Sequence, residues 1–208
     1  MRKNTTPEPK AKPKRNNDLF QKRQAQIIKK ATKLFMKKGY AQTSMREISK
    51  ATGIDIRNLY YFIKNKEEIL FLVFDILHKP ELELFEKRGI LDMDDPVEQL
   101  KAVIYGLIEN GYDYGQEILL LYRESKSLPK RLLKVILDKE SQVVSQIEGI
   151  LQKGQARGVF SIEDTSFTAN MVTYQLSLYA MRNWNMQEYS KRELIDLMEK
   201  NIMKMVMA

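Results

Sequence analysis

The chain has 208 residues, of which 43% are hydrophobic and 30% charged, with a formal net charge of +8 and no cysteine. That balance describes a globular chain long enough to bury a real core, and it excludes disulfides, thiolate metal sites and thiol nucleophiles. The charge is split along the chain: residues 1–66 carry a net +14 and residues 67–208 a net −6, which reads as a basic module for a polyanion joined to a larger body with another task.

Residues 1–18 hold three prolines, six cations and almost no apolar side chains, so they are expected to be a disordered basic arm. That arm is either a solubilising tail or a reach toward a DNA backbone. From Leu19 the pattern turns helical. Ile27, Ile28, Ala31, Leu34 and Phe35 recur at three-to-four spacing, and Lys37, Lys38 and Gly39 form a stop. Ser44 and Glu47 have capping-box spacing ahead of Met45, Ile48 and Ala51, and this short helix should end at Gly53. Asp55 then caps a second short helix over Ile56 to about Ile63, and Asn65 with Glu67 and Glu68 opens a longer one.

Further helix starts are predicted at Asp95-Pro96, after the Gly111–Gly115 break, at Pro129 with a run to about Arg157, at Ser161-x-x-Asp164 and at Ser190-x-x-Glu193. No stretch alternates strictly or carries hairpin turn residues. The predicted fold class is all-α.

Two short helices joined by a Gly-containing turn, with small Ser49 and Ala51 at the crossing, make a helix–turn–helix. In the second of them Leu59 and Ile63 face inward, helped by Ile56 or Phe62. Arg57, Asn58, Tyr60 and Tyr61 are left on the opposite side. So many donors on one face suit a major groove, where base edges and phosphates accept them.

The segment RQAQIIKKATKLFMKKGYAQTSMREISKATGIDIRNLYYFIKNKEEIL, about 48 residues, resembles the DNA-binding domain of the TetR family of bacterial transcriptional regulators. The matching features are the LF and GY pairs, TSMREI, the Gly53 turn, LYY and KNKEEIL. The resemblance implies an N-terminal three-helix head over residues 19–66 and a helical-bundle body over 67–208 for effector binding and dimerisation. It also implies repression of a palindromic double-stranded DNA operator, relieved by a small molecule.

Carried onto this sequence, it makes Ile56 to Ile63 the recognition helix, with Arg57 and Asn58 as base readers. Tyr60, Tyr61, Thr43, Lys66 and, more weakly, Arg46 become phosphate contacts. Ile56 and Phe62 depart from the residues usual there, so the operator sequence does not transfer.

In the body, a predicted helix from Ile162 to Trp184 carries Phe167, Met171, Tyr174, Leu178 and Met181 on one stripe and Val172, Leu176 and Tyr179 on another. The final helix repeats this with Leu194, Leu197, Met198, Ile202, Met205 and Val206. Helices apolar on more than one face are buried on more than one face. A homodimer seam is expected from Phe167, Met171, Tyr174, Leu178, Leu194, Leu197, Met198 and Ile202, with one core as the plainer alternative. Tyr105, Tyr122, Arg123, Tyr174 and Trp184 are candidates to line an effector cavity. Arg123 could meet an acidic effector such as an acyl-CoA, or simply Glu124 or Glu117.

An enzyme has little to work with here. His78 is the single histidine, and His78-x2-Glu81 is weak as a metal pair and reads better as a satisfied surface histidine. The pairs Glu67/Glu68 and Asp94/Asp95 read as helix caps. No catalytic residue, metal or cofactor is expected. A membrane-surface protein would set its cations opposite one apolar face, and these surround a helix–turn–helix instead. No run approaches the roughly 18 apolar residues of a membrane span, and no apolar segment follows the cationic N-terminus, so a cytoplasmic protein is expected. Non-specific nucleic-acid packaging would explain the charge but not the body.

Overall fold

A computed structural model describes residues 14–87 and 89–207. Most of the predicted basic arm lies outside the described residues. Its last part does not: α1 runs from Lys14 to Lys38, so an arm ending at residue 18 overlaps the first turn of this helix. Pro13 is the last proline before it, and nothing from Lys14 onward breaks the helical run.

The head is built from local signals. Ile27, Ile28, Ala31 and Phe35 bury the inner face of α1. Helix α2 (Met45–Thr52) starts from a complete capping box at Ser44 and Glu47, and α3 (Ile56–Phe62) starts from Asp55. Helix α4 (Lys66–Lys87) is capped by Asn65, whose Oδ1 accepts the Glu68 N–H at 2.7 Å. The Glu68 carboxylate in turn accepts the Lys64 N–H at 2.6 Å.

The first turns of α4 belong to the head's core. Ile69, Leu70, Val73 and Phe74 pack in one cluster with Ile27, Phe35, Ile48 and Leu59. Leu120 and Ile136, from further along the chain, complete that cluster, so head and body share packing.

The body follows as α5 (Pro96–Asp113), α6 (Gly115–Glu124), a 3₁₀ turn (Ser125–Ser127), α7 (Lys130–Ala156) and α8 (Thr165–Leu176). Two four-residue turns of helix, α9 (Leu178–Met181) and α10 (Asn183–Met186), lead to α11 (Lys191–Val206). Its core joins Leu100, Val103 and Ile104 of α5 to Ile147 and Leu151 of α7, with α8 and α11 closing the other sides. Gly106 lets α5 cross α4 closely: a β-carbon there would lie 2.4 Å from a Leu84 methyl and force that side chain to move. Among the described residues one antiparallel bridge, Phe160 to Met207, ties the α7–α8 loop to the end of the last helix.

The expected continuous helix from Ile162 to Trp184 is interrupted. It begins at Thr165 under the Asp164 cap and breaks at Ser177 and again at Arg182. At Ser177 the hydroxyl donates to the Thr173 carbonyl at 3.3 Å, and the N–H bonds the Tyr174 carbonyl at 3.1 Å in a tightened turn. Such side-chain back-bonding competes with the regular backbone ladder.

Candidate nucleic-acid interface and a buried polar cavity

The turn between α2 and α3 is held from both sides. Gly53 takes φ +70°, the left-handed conformation that ends α2 and that other residues rarely adopt. Ser49 Oγ donates across the turn to the Ile54 carbonyl at 2.7 Å, while Ala51, expected at a close crossing, is exposed instead. In α3, Leu59 is fully buried and Arg57, Asn58, Tyr60 and Tyr61 all stand exposed, Tyr61 at 74%. These four share one outward surface because Leu59 holds the opposite side in the core. Ile56 and Phe62 pack rather than project. Phe62 meets the Phe20 ring at 5.2 Å, and Phe20 also meets Tyr61 edge-on at 5.8 Å.

Two expected phosphate contacts have other work. Thr43 is buried, and its hydroxyl donates to the Gly39 carbonyl at 2.9 Å. Lys66 Nζ donates to the carbonyls of Tyr40, Ala41 and Thr43 at 2.8, 3.3 and 3.1 Å. Its three ammonium hydrogens are therefore spent on the α1–α2 loop, which makes Lys66 a fastener of the head rather than a free cation. Arg46 is exposed on α2, adjacent to Glu47. Glu47 is held down at about 2, chiefly by its Lys38 ion pair and then by its bonds to Ser44.

A second site lies in the body, and its central residue overturns a sequence expectation. His78 is no surface histidine: it is 0% exposed. Nδ1 lies 2.8 Å from the Phe74 carbonyl, and Nε2 lies 2.8 Å from Glu140 Oε1. Both partners are acceptors, so both ring nitrogens donate only if the imidazole is cationic. Burial by itself would lower the His78 pKa. The Glu140 hydrogen bond and charge, Glu81 and the Phe74 carbonyl outweigh it and raise the pKa.

One turn on, Glu81 is pushed up to about 7, first by burial and also by Glu140, against the lowering effects of His78 and Asn110. Asn110 Nδ2 donates to Glu81 Oε1 at 3.1 Å and lies 3.4 Å from the Leu77 carbonyl. Pro80 sits between His78 and Glu81 inside α4 and cannot supply the N–H that would close a helical bond on the Ile76 carbonyl.

These groups border a small cavity of about 40 Å³ enclosed by α4, α5, α6, α7 and α8. Leu77, Leu107, Ile118, Leu121, Val143 and Leu176 form its apolar walls, and Glu81, Glu140, Tyr122, Thr173 and Ser177 bring polar atoms to it.

Of the five expected cavity residues, all exposed, Tyr122 alone also lines this space. Tyr105, Arg123, Tyr174 and Trp184 are exposed, and the Arg182 guanidinium lies 4.9 Å from the Trp184 ring. Sequence spacing had offered His78-x2-Glu81 as a hint. Glu140 and Asn110 carried no local signal at all.

The expected seam residues divide in the same way. Leu194, Met198 and Ile202 are buried in the chain's own core, because they are the inner stripe of α11. Phe167, Met171, Tyr174 and Leu197 face outward, Phe167 at 65%, and Leu178 is half-buried. Gln175 Nε2 lies 3.7 Å from Met205 Sδ, which joins the outer edges of α8 and α11.

Comparison with known proteins places this architecture. Residues 27–73 match the family described as "Bacterial regulatory proteins, tetR family", and residues 93–203 match "Tetracyclin repressor-like, C-terminal domain". The chain is 26% identical over 188 residues to the HTH-type transcriptional regulator HbdR of Aromatoleum sp. (strain CIB), covering 87% of this chain and 81% of that one. It is 23% identical over 176 residues to the HTH-type transcriptional repressor NicS of Pseudomonas putida, covering 84% and 82%.

Among solved structures, a tetR-family regulatory protein from Rhodococcus RHA1 superposes with a TM-score of 0.83 at 20% identity, over 90% of this chain and 98% of that one. AibR, solved with isovaleryl coenzyme A and operator DNA, superposes at 0.75 with 22% identity, over 86% and 97%.

Proposed function

Because the chain belongs to the TetR family of bacterial transcriptional regulators, we propose that it is a cytoplasmic, homodimeric repressor that leaves its DNA operator when a small molecule enters the body. The observation that carries this reading is α3, where a buried Leu59 turns Arg57, Asn58, Tyr60 and Tyr61 outward together. Residues 19–66 with the first turns of α4 act as the DNA-binding head, and the rest of the chain acts as the effector and dimerisation body. Arg57 and Asn58 read base edges, Tyr60 and Tyr61 touch phosphates, and Arg46 adds a cation at the rim.

Two heads must sit about one helical turn of DNA apart to read a palindrome. The exposed apolar face of Phe167, Met171, Tyr174 and Leu197 supplies the seam that sets this distance, since an open patch of that kind marks an interface. Effector binding falls to the cavity beside Glu81. HbdR and NicS carry regulator names, which supports a role without catalysis. Among the described residues no helix is long and apolar enough to cross a membrane.

Selection of bound genomic fragments, followed by gel shift in near-cellular salt, tests the reading. A shared palindrome bound by a dimer is the expected result. A monomer that binds all duplexes alike would overturn it.

A further inference from the structure

The polar groups around the cavity do not balance in charge. His78, held between two acceptors, supplies one positive charge, and Glu140 answers it directly at 2.8 Å. Glu81 then remains with a neutral amide, Asn110, as its hydrogen-bond donor. A half-buried carboxylate whose nearest cation, His78, is already hydrogen-bonded to Glu140 is costly, and the chain meets that cost at neutral pH by holding a proton there part of the time. The remaining polar groups at the cavity, Tyr122, Thr173 and Ser177, are hydroxyls that can accept hydrogen bonds from a guest. A guest carrying its own positive charge would replace the proton on Glu81. A guest carrying a negative charge would face two carboxylates.

We propose that the cavity between α4 and α8 takes an organic cation, its protonated amine or amidine head seated on Glu81 with Glu140 nearby and its apolar tail directed along Leu107, Val143 and Leu176. The inference rests on the effector-binding reading of the body and names the chemical class of that effector. A volume of about 40 Å³ admits little more than the head group, so the tail must part the helices that meet there. Pro80 puts the weakest point of the α4 ladder beside that head group.

The test uses the full chain with an operator fragment selected from genomic DNA. n-Butylammonium, n-butanol, butyrate and isovaleryl coenzyme A are compared at constant ionic strength by calorimetry and DNA-binding titration. The expected result is that n-butylammonium binds at least tenfold more tightly than butyrate and weakens operator binding. Its heat at pH 7 should depend on the buffer, reporting release of on the order of half a proton as Glu81 ionises.

Glu81→Gln should cut n-butylammonium affinity at least tenfold and abolish the buffer dependence. If that variant does not fold, Tyr122→Phe with Ser177→Ala should lower the affinity about threefold. Butyrate or isovaleryl coenzyme A binding as well as the amine would overturn the proposal, as would no probe binding to a chain that still recognises its operator. Failure of the unliganded chain to select any operator would instead overturn the regulator reading beneath it.

Discussion

The Lys66 ammonium lies 4.3 Å from the centre of the Tyr40 ring and donates to the Tyr40 carbonyl at 2.8 Å. One side chain thus closes the α1–α2 loop onto the start of α4. Lys66→Ala should destabilise the head by about 1–2 kcal/mol, the loss of charge-assisted hydrogen bonds to one exposed and two part-buried carbonyls. It should weaken all DNA sequences alike through that instability. The log–log salt slope should keep its value, whereas loss of a phosphate contact would reduce it by about 0.9. Urea denaturation and a salt titration of the same variant separate the two roles.

Tyr40 makes a second, opposite prediction. Its hydroxyl is buried with no hydrogen-bond partner, and its pKa is pushed up to about 12, mainly by burial and then by Glu67 and Glu124. Tyr40→Phe removes a group that was desolvated for nothing, so stability should be unchanged or rise by up to about 1 kcal/mol. A loss of more than that in thermal unfolding would mean the hydroxyl has a partner in solution.

On the recognition helix, Arg57→Ala should cost about 1–3 kcal/mol at its preferred base and relax the choice there. Tyr61→Phe should weaken binding by less and leave the consensus intact, because a phosphate contact carries no base identity. Selection of bound sequences with each variant checks both. An unchanged consensus for Arg57→Ala would remove it from the base readers.

The body should weaken as pH rises. His78 and Glu81 on α4 both have raised folded-state pKa values; both face Glu140 on α7, and Glu81 also meets Asn110 on α5 and Tyr122 on α6. Groups that hold protons more tightly when folded stabilise fully below their unfolded values, 6.5 for His78 and 4.5 for Glu81. That stability is lost as pH climbs through the folded values. Unfolding free energy should therefore fall between pH 5 and 8 by on the order of 2 kcal/mol, and Glu81→Gln should flatten the curve. Glu47, Asp94 and Glu193, whose pKa values are lowered, act on the acid limb and do not mask this window.

Phe167→Arg places a charge at the N-terminal end of the exposed α8 face and should split the dimer without unfolding the protomer. Sedimentation equilibrium should give a monomer, and operator affinity should fall at least a hundredfold, since each head then binds alone. Leu194→Ala, in contrast, cuts into the core and should cost about 2–5 kcal/mol of stability.

What could be read from the sequence was what the sequence encodes locally. Ser44 with Glu47, Asp55, Asn65 and Ser190 with Glu193 each act within four residues, and every one caps the helix expected of it. What could not be read depends on distant partners. Lys66 looked free because its acceptors are backbone carbonyls 23 to 26 residues earlier. His78 looked superficial because Glu140 is 62 residues away. Which apolar stripe of α11 faces inward was equally hidden, for periodicity marks a face without saying what covers it.

Helix α4 fastens the α1–α2 loop at Lys66 and borders the cavity at Glu81, fifteen residues on, roughly 22 Å along its axis. It is therefore a lever with one arm in each half of the chain. A tilt of only about 5° imposed at Glu81 would carry the Lys66 end through roughly 2 Å, while a hydrogen bond is lost when stretched by less than about 1 Å. In a two-fold assembly the opposite head moves the other way, so a guest that parts the helices only slightly at Glu81 would still have enough leverage to throw both reading surfaces out of register.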